Sequence, residues 1–143
     1  MTIPSILAPV FVQVLLTIVL AVVMATRRLA AVKAGAVRRG DVSMGERAWP
    51  AEAQMASNAF SNQFELPLLF YVAVILAILT RKADLLFVAL SWVFVATRIV
   101  HAAAYAMGNV VPRRFAAYLV GAAVLTIIWA VLALRVLLAA SPA

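Results

Sequence analysis

Four long apolar stretches, separated by short polar ones, dominate the chain, and none of them alternates with the period of two that a half-buried strand would show. Each is long enough to cross a hydrocarbon layer about 30 Å thick as a helix. The pattern predicts helices over 3–26, 50–80, 84–107 and 114–140. In the second, only the part from Phe64 onward is strongly apolar. The stretch before it is still helical in character, with Ala51, Ala53, Ala56 and Ala59 favourable and Pro50 suited to a first turn. That helix is therefore expected to project beyond the membrane. The unbroken apolar runs argue against a barrel. The fold class is an all-α integral membrane protein, a bundle of four transmembrane helices forming one domain over 1–143.

Composition agrees, at 67% hydrophobic residues and a mean hydropathy of +1.10. Cysteine is absent, which removes disulfides, thiolate metal sites and a protein thiol nucleophile. Sulfur chemistry would have to come from a substrate. No Lys or Arg precedes the first apolar run, whereas Arg27 and Arg28 follow it. A cleaved secretory signal has the opposite polarity, so the first helix is expected to stay in the mature protein.

A net charge of +7 invites a nucleic-acid reading, but its distribution argues for topology instead. Arg27, Arg28, Lys33, Arg38, Arg39 and Arg47 fall between helices one and two, and Arg113 and Arg114 between three and four. The opposite side has only Arg81 and Lys82, a split of eight to two. The positive-inside rule then puts the basic loops in the cytoplasm and both termini outside. Lys33, Arg38 and Arg39 suit anionic headgroups, so membrane lipids are expected partners. The stretch 33–50, with Gly35, Gly40 and Gly45, is the one polar loop of any length.

With that topology, polar residues from all four helices meet at one depth. Asn58, Asn62 and Glu65 are spaced i, i+4, i+7 on one helical face at the cytoplasmic mouth. A carboxylate there needs something opposite it. Arg98, His101 and Tyr105 share a face near the end of the third helix, and Arg114 and Tyr118 open the fourth. Arg27 ends the first. Residues that merely snorkel would be spread over both interfaces.

Each also has a purely structural reading. Glu65 can pair with Arg98 or His101 as a buried lock. Asn62 can be interhelical glue, and His101 a packing histidine. Tyr105 and Tyr118 can anchor an aromatic belt, as Trp49, Trp92 and Trp129 can. Arg135 reads as a residue that snorkels outward without a role.

Three motifs resemble one family, the membrane-associated proteins in eicosanoid and glutathione metabolism (MAPEG), which includes microsomal glutathione transferases, microsomal prostaglandin E synthase and leukotriene C4 synthase. Asn62-Gln-Phe-Glu65-Leu-Pro67 is similar to the family's Asn-x-x-Glu signature with its following proline. Arg98-Ile-Val-His101-Ala-Ala-Ala-Tyr105 resembles the Arg-x-x-His-x-x-x-Tyr of the prostaglandin synthase branch, and Arg114-Phe-Ala-Ala-Tyr118 the Arg-x-x-x-Tyr that opens helix four.

The resemblance is to a bacterial-type member, hence an inner-membrane protein. It implies a homotrimer with glutathione as co-substrate, bound between subunits near the cytoplasmic face. It also implies a lipophilic electrophile or hydroperoxide as second substrate. Carried over position by position, Arg27 (or Arg28), Asn62, Glu65, His101, Tyr105, Arg114 and Tyr118 line the glutathione site, with Arg114 the catalytic residue that activates the thiol. Two departures stand out. Glutathione-using members carry arginines one turn before the signature, where this chain has Asn58 and Ser61, and the prostaglandin branch has a serine where this chain has Phe115. They leave open a lipid-binding or scaffold protein without catalysis. A small proton-coupled exporter titrating Glu65 is a further alternative, although it would need its carboxylate nearer mid-membrane.

Overall fold

The computed structural model describes residues 1–37, 40, 49–106 and 110–139. Arg38, Arg39, Gly45 and Arg47 of the basic loop lie outside them. Among the described residues the chain is helical: α1 (Ile3–Lys33), α2 (Ala51–Ser61), a 3-10 turn (Asn62–Phe64), α3 (Leu66–Leu79), α4 (Leu85–Ala106) and α5 (Val111–Leu137). Four helical spans are long and apolar enough to cross a membrane, α2 and α3 together forming the second. The protein is an integral, multi-pass membrane protein.

Helix α1 runs through Arg27 and Arg28 to Lys33, well past the apolar run. Leu29, Ala30, Ala31 and Val32 continue it, because charge marks a membrane boundary and not a helix end. It stops where Gly35 adopts φ +69°, with the Gly35 and Ala36 amides turned back onto the Val32 and Ala31 carbonyls.

The second span is not one continuous helix. Pro67 has no N–H to give the Gln63 carbonyl, and its ring crowds that carbonyl, so the ladder breaks one turn earlier. Glu65 sits at the break with φ −96° and ψ −102°. The shared i, i+4, i+7 face of Asn58, Asn62 and Glu65 is lost there. Buried Gln63 ties the break down: its amide donates to the Ala59 carbonyl (3.0 Å), and its side-chain oxygen accepts from Gln13 Nε2 on α1 (2.8 Å).

Helix α3 is apolar all round, so its inward stripe is chosen by size rather than polarity. Phe70, Ala73, Val74 and Ala77, at helical spacing, pack against Phe87, Phe94 and Val95 of α4 and Leu125, Ile128 and Leu132 of α5. Lipid tails are as apolar as these side chains, so close packing rather than burial from water holds the bundle, and small residues let backbones approach. The clearest case is Gly121 on α5. A Cβ there would lie 2.7 Å from Thr97 Oγ1 on α4. A second, smaller cluster of Leu20, Ala59, Ala102 and Tyr105 lies towards the end where α1 meets α2.

At the other end, Arg81 turns the chain with φ 55°, and Asp84 accepts from the Phe87 amide (2.9 Å). Arg135 does not simply snorkel. Its guanidinium reaches Asp84 at 2.6 Å and the Lys82 carbonyl at 3.5 Å, fastening the end of α5 to the turn before α4. This arginine holds the Asp84 carboxyl below its ordinary range.

Candidate functional site

The break in the second span delivers Asn62 to α4. Its Nδ2 donates to Tyr105 Oη at 2.9 Å and lies 3.3 Å from His101 Nε2. On its other side, the His101 ring meets the Arg114 carbonyl through Nδ1 at 3.0 Å. A carbonyl can only accept, so Nδ1 carries the proton and Nε2 is left to accept from Asn62. Tyr105 Oη accepts in this chain of bonds, which leaves its own proton to donate elsewhere. Residues on three elements thus fix one tautomer and leave one hydroxyl proton without an acceptor among the described residues.

Two arginines frame this network. Arg114 places its guanidinium carbon 3.9 Å from the centre of the Tyr105 ring. Arg98 is 1% exposed, with its guanidinium 5.6 Å from the Tyr118 ring and 6.0 Å from Phe94. All three of its nitrogens are buried without a hydrogen-bond partner among the described residues. Tyr118 completes the cluster, its ring 6.0 Å from that of His101.

Of the residues read from sequence, Asn62, His101, Tyr105, Arg114 and Tyr118 are therefore brought together. Glu65 is not among them. It is exposed and forms no ion pair with Arg98 or His101, so the buried lock is not made. It remains within electrostatic range of Arg98. Arg27 does not cap α1 and instead pairs with Glu52 across to α2. Its neighbour Arg28 donates to Ser57 Oγ at 3.1 Å and stacks on Trp49 at 4.9 Å. Arg27 and Tyr105 both line a cavity of about 290 Å³ between α1, α2 and α4, whose floor is Leu20, Met55 and Ala59. Asn58 is exposed and bonded to Gln54 (2.9 Å), away from the cluster.

Sequence reasoning missed Gln13, Gln63 and Glu52, and placed Arg98 on the face of His101 and Tyr105 without counting it among the residues that line the site. The signal for Gln13 was present, since an amide inside an apolar span needs a partner. Nothing local names Gln63, fifty positions away, as that partner. Among the described residues no cluster of His, Asp or Glu is arranged to hold a metal ion.

Comparison with curated proteins and with solved structures gave no match. The model of the MAPEG family, in contrast, matches residues 6–134 of the 143, a stretch holding every residue of the cluster. The chain belongs to the MAPEG family, membrane proteins of glutathione and eicosanoid metabolism.

Proposed function

We propose that this protein binds glutathione and transfers it to, or uses it to reduce, a lipophilic electrophile or hydroperoxide arriving from the bilayer. The observation that carries this reading is Arg98: a buried guanidinium with no hydrogen-bond partner among the described residues suits a bound anion. Glutathione has two carboxylates, an ammonium group and a thiol. Arg98 and Arg114 complement the carboxylates or the thiolate, the free Tyr105 proton a carboxylate, and exposed Glu65 the ammonium end.

The chemistry rests on the thiol. Near pKa 8.5 it is mostly protonated at neutral pH, and a guanidinium about 4 Å away favours the thiolate by up to roughly 4 kcal/mol at an effective dielectric of 20. We assign that role to Arg114. It opens α5, where the helix end adds positive potential. The thiolate then forms a carbon–sulfur bond as the electrophile's leaving group departs with its electron pair.

The working unit in this reading is a homotrimer, with the basic end of the bundle in the cytoplasm. Glu65 supports it, because a carboxylate exposed at a membrane mouth, with no ion pair among the described residues, suits a ligand's ammonium group enclosed between neighbouring chains. Native mass spectrometry in mild detergent should give three chains.

Purified protein with saturating glutathione should show thiolate absorbance in the near ultraviolet at neutral pH, lost in Arg114→Ala with the trimer intact. No thiolate signal in the wild type would reject the catalytic reading. It would favour lipid binding without catalysis, to which Asn58, uncharged and turned away from the cluster, already lends support.

A further inference from the structure

The face of α4 that carries Arg98, His101 and Tyr105 is used by the cluster; the neighbouring stripe is not. Residues 93, 96 and 100 form that stripe, roughly a third of a turn round the helix. Against it lie 116 and 120 of α5, on a face likewise turned from Arg114 and Tyr118. Between them runs an open groove of about 480 Å³. Ala96 and Ala116 hollow it, and Val93, Val100 and Val120 wall it. The hydroxyl of Thr97, which also lines it, is bound to the Phe94 carbonyl (2.6 Å), so the groove offers almost no polar surface along its walls.

Its one charge stands at the basic end. Arg113 lines the groove there, is exposed, and makes no hydrogen bond or ion pair among the described residues. From Arg113 to Val120 the groove follows α5 for about 10 Å. An apolar channel parallel to the helices, ending in a lone guanidinium at the membrane surface, has the charge and polarity of a single-chain portion of a phospholipid with its phosphate.

We propose that the α4–α5 groove is a binding site for an anionic phospholipid of the leaflet at the basic end, one acyl chain lying along Ala96 and Ala116 and the phosphate held by Arg113. A guanidinium can meet two phosphate oxygens at once. With Arg27 neutralised by Glu52, Arg28, Lys33 and Arg114 still outnumber Glu65 and make that end of the protein positive, which disfavours a headgroup carrying its own ammonium. The site is separate from the cluster that the glutathione reading uses, and its occupancy does not depend on that reading.

The test uses delipidated full-length protein in detergent, with phosphatidylglycerol and phosphatidylcholine of identical acyl chains titrated and counted by native mass spectrometry. We expect one phosphatidylglycerol per chain, bound at least tenfold tighter than phosphatidylcholine. Arg113→Gln should bring the two lipids to equal affinity. Ala96→Leu with Ala116→Leu should weaken both by a similar factor, because it fills the channel and leaves the charge. Equal affinity in the wild type, or a preference that survives Arg113→Gln, overturns the proposal. A changed number of chains in the groove-filled variant does so too, since it would make the groove a contact between copies. Should that variant fail to fold, exposed Arg113 alone decides the matter. Displacement of the lipid by millimolar glycerol phosphate would overturn it by showing a simple anion site. The glutathione thiolate signal of Arg113→Gln should equal that of the wild type whichever way the lipid result falls.

Discussion

Replacing Arg98 by methionine should make the empty protein more stable and deprive it of glutathione binding. Arg98 is 1% exposed and its three nitrogens lack hydrogen-bond partners among the described residues. An unmade hydrogen bond at a buried group costs about 1–3 kcal/mol, so three nitrogens set a ceiling of roughly 9 kcal/mol. Against this stand two ring contacts, with Tyr118 at 5.6 Å and Phe94 at 6.0 Å. At that separation they are near the limit of useful cation–π attraction and return about 1 kcal/mol together. Methionine is unbranched, fills a similar channel and still packs against aromatic rings. A net gain of about 2 kcal/mol or more follows for the ligand-free variant. Glutathione at a hundred times its Kd should stabilise the wild type by about 2.7 kcal/mol and the variant not at all. Thermal unfolding in detergent, with and without glutathione, reads both effects, and native mass spectrometry checks that the assembly is unchanged. If ligand-free Arg98→Met were the less stable protein, the guanidinium must be satisfied by a neighbouring subunit and its charge would be structural. If glutathione still protected the variant, Arg98 would not be part of the site.

Gly121→Ala would set a Cβ 2.7 Å from Thr97 Oγ1, and the overpacking should cost about 1–3 kcal/mol in the same melting assay, with Thr97→Ser in the same chain restoring little because the hydroxyl stays. The Asp84 carboxyl, held low by Arg135, favours folding above its unfolded value near 3.9 and loses that contribution as pH falls below about 4 through the lower folded value. Asp84→Asn should therefore flatten the acid limb of a stability profile slightly, the pair being half exposed and screened, and an unchanged limb would discount the ion pair. Cysteines introduced at Gly40 and Leu138, in a chain with none of its own, should react with impermeant thiol reagents from opposite faces, Gly40 from the cytoplasm. Labelling from the same face would contradict four crossings.

What the sequence made legible and what it hid divide along a physical line. The four spans follow from unbroken apolar runs, and Arg98, His101 and Tyr105 meet as their spacing requires because α4 continues unbroken past all three. The Asn58, Asn62 and Glu65 face fails for the converse reason: the periodic argument holds only while the ladder does, and Pro67 was in view as the residue that ends it. Breaking the ladder has its own consequence. It turns Asn62 onto Tyr105 and His101 while leaving Glu65 at the surface, so two signature residues separated by one turn have different surroundings. Pairings remote in sequence were not readable at all: Gln13 with Gln63, Arg27 with Glu52 and Arg135 with Asp84 each join helices whose relative rotation no local pattern fixes. Of these, Gln13 with Gln63 bears most directly on the cluster. Gln63 is the residue next to Asn62, and its buried amide is bonded to both α1 and α2 beside the break. A glutamine in the first membrane span thereby helps to hold the break from which Asn62 reaches Tyr105.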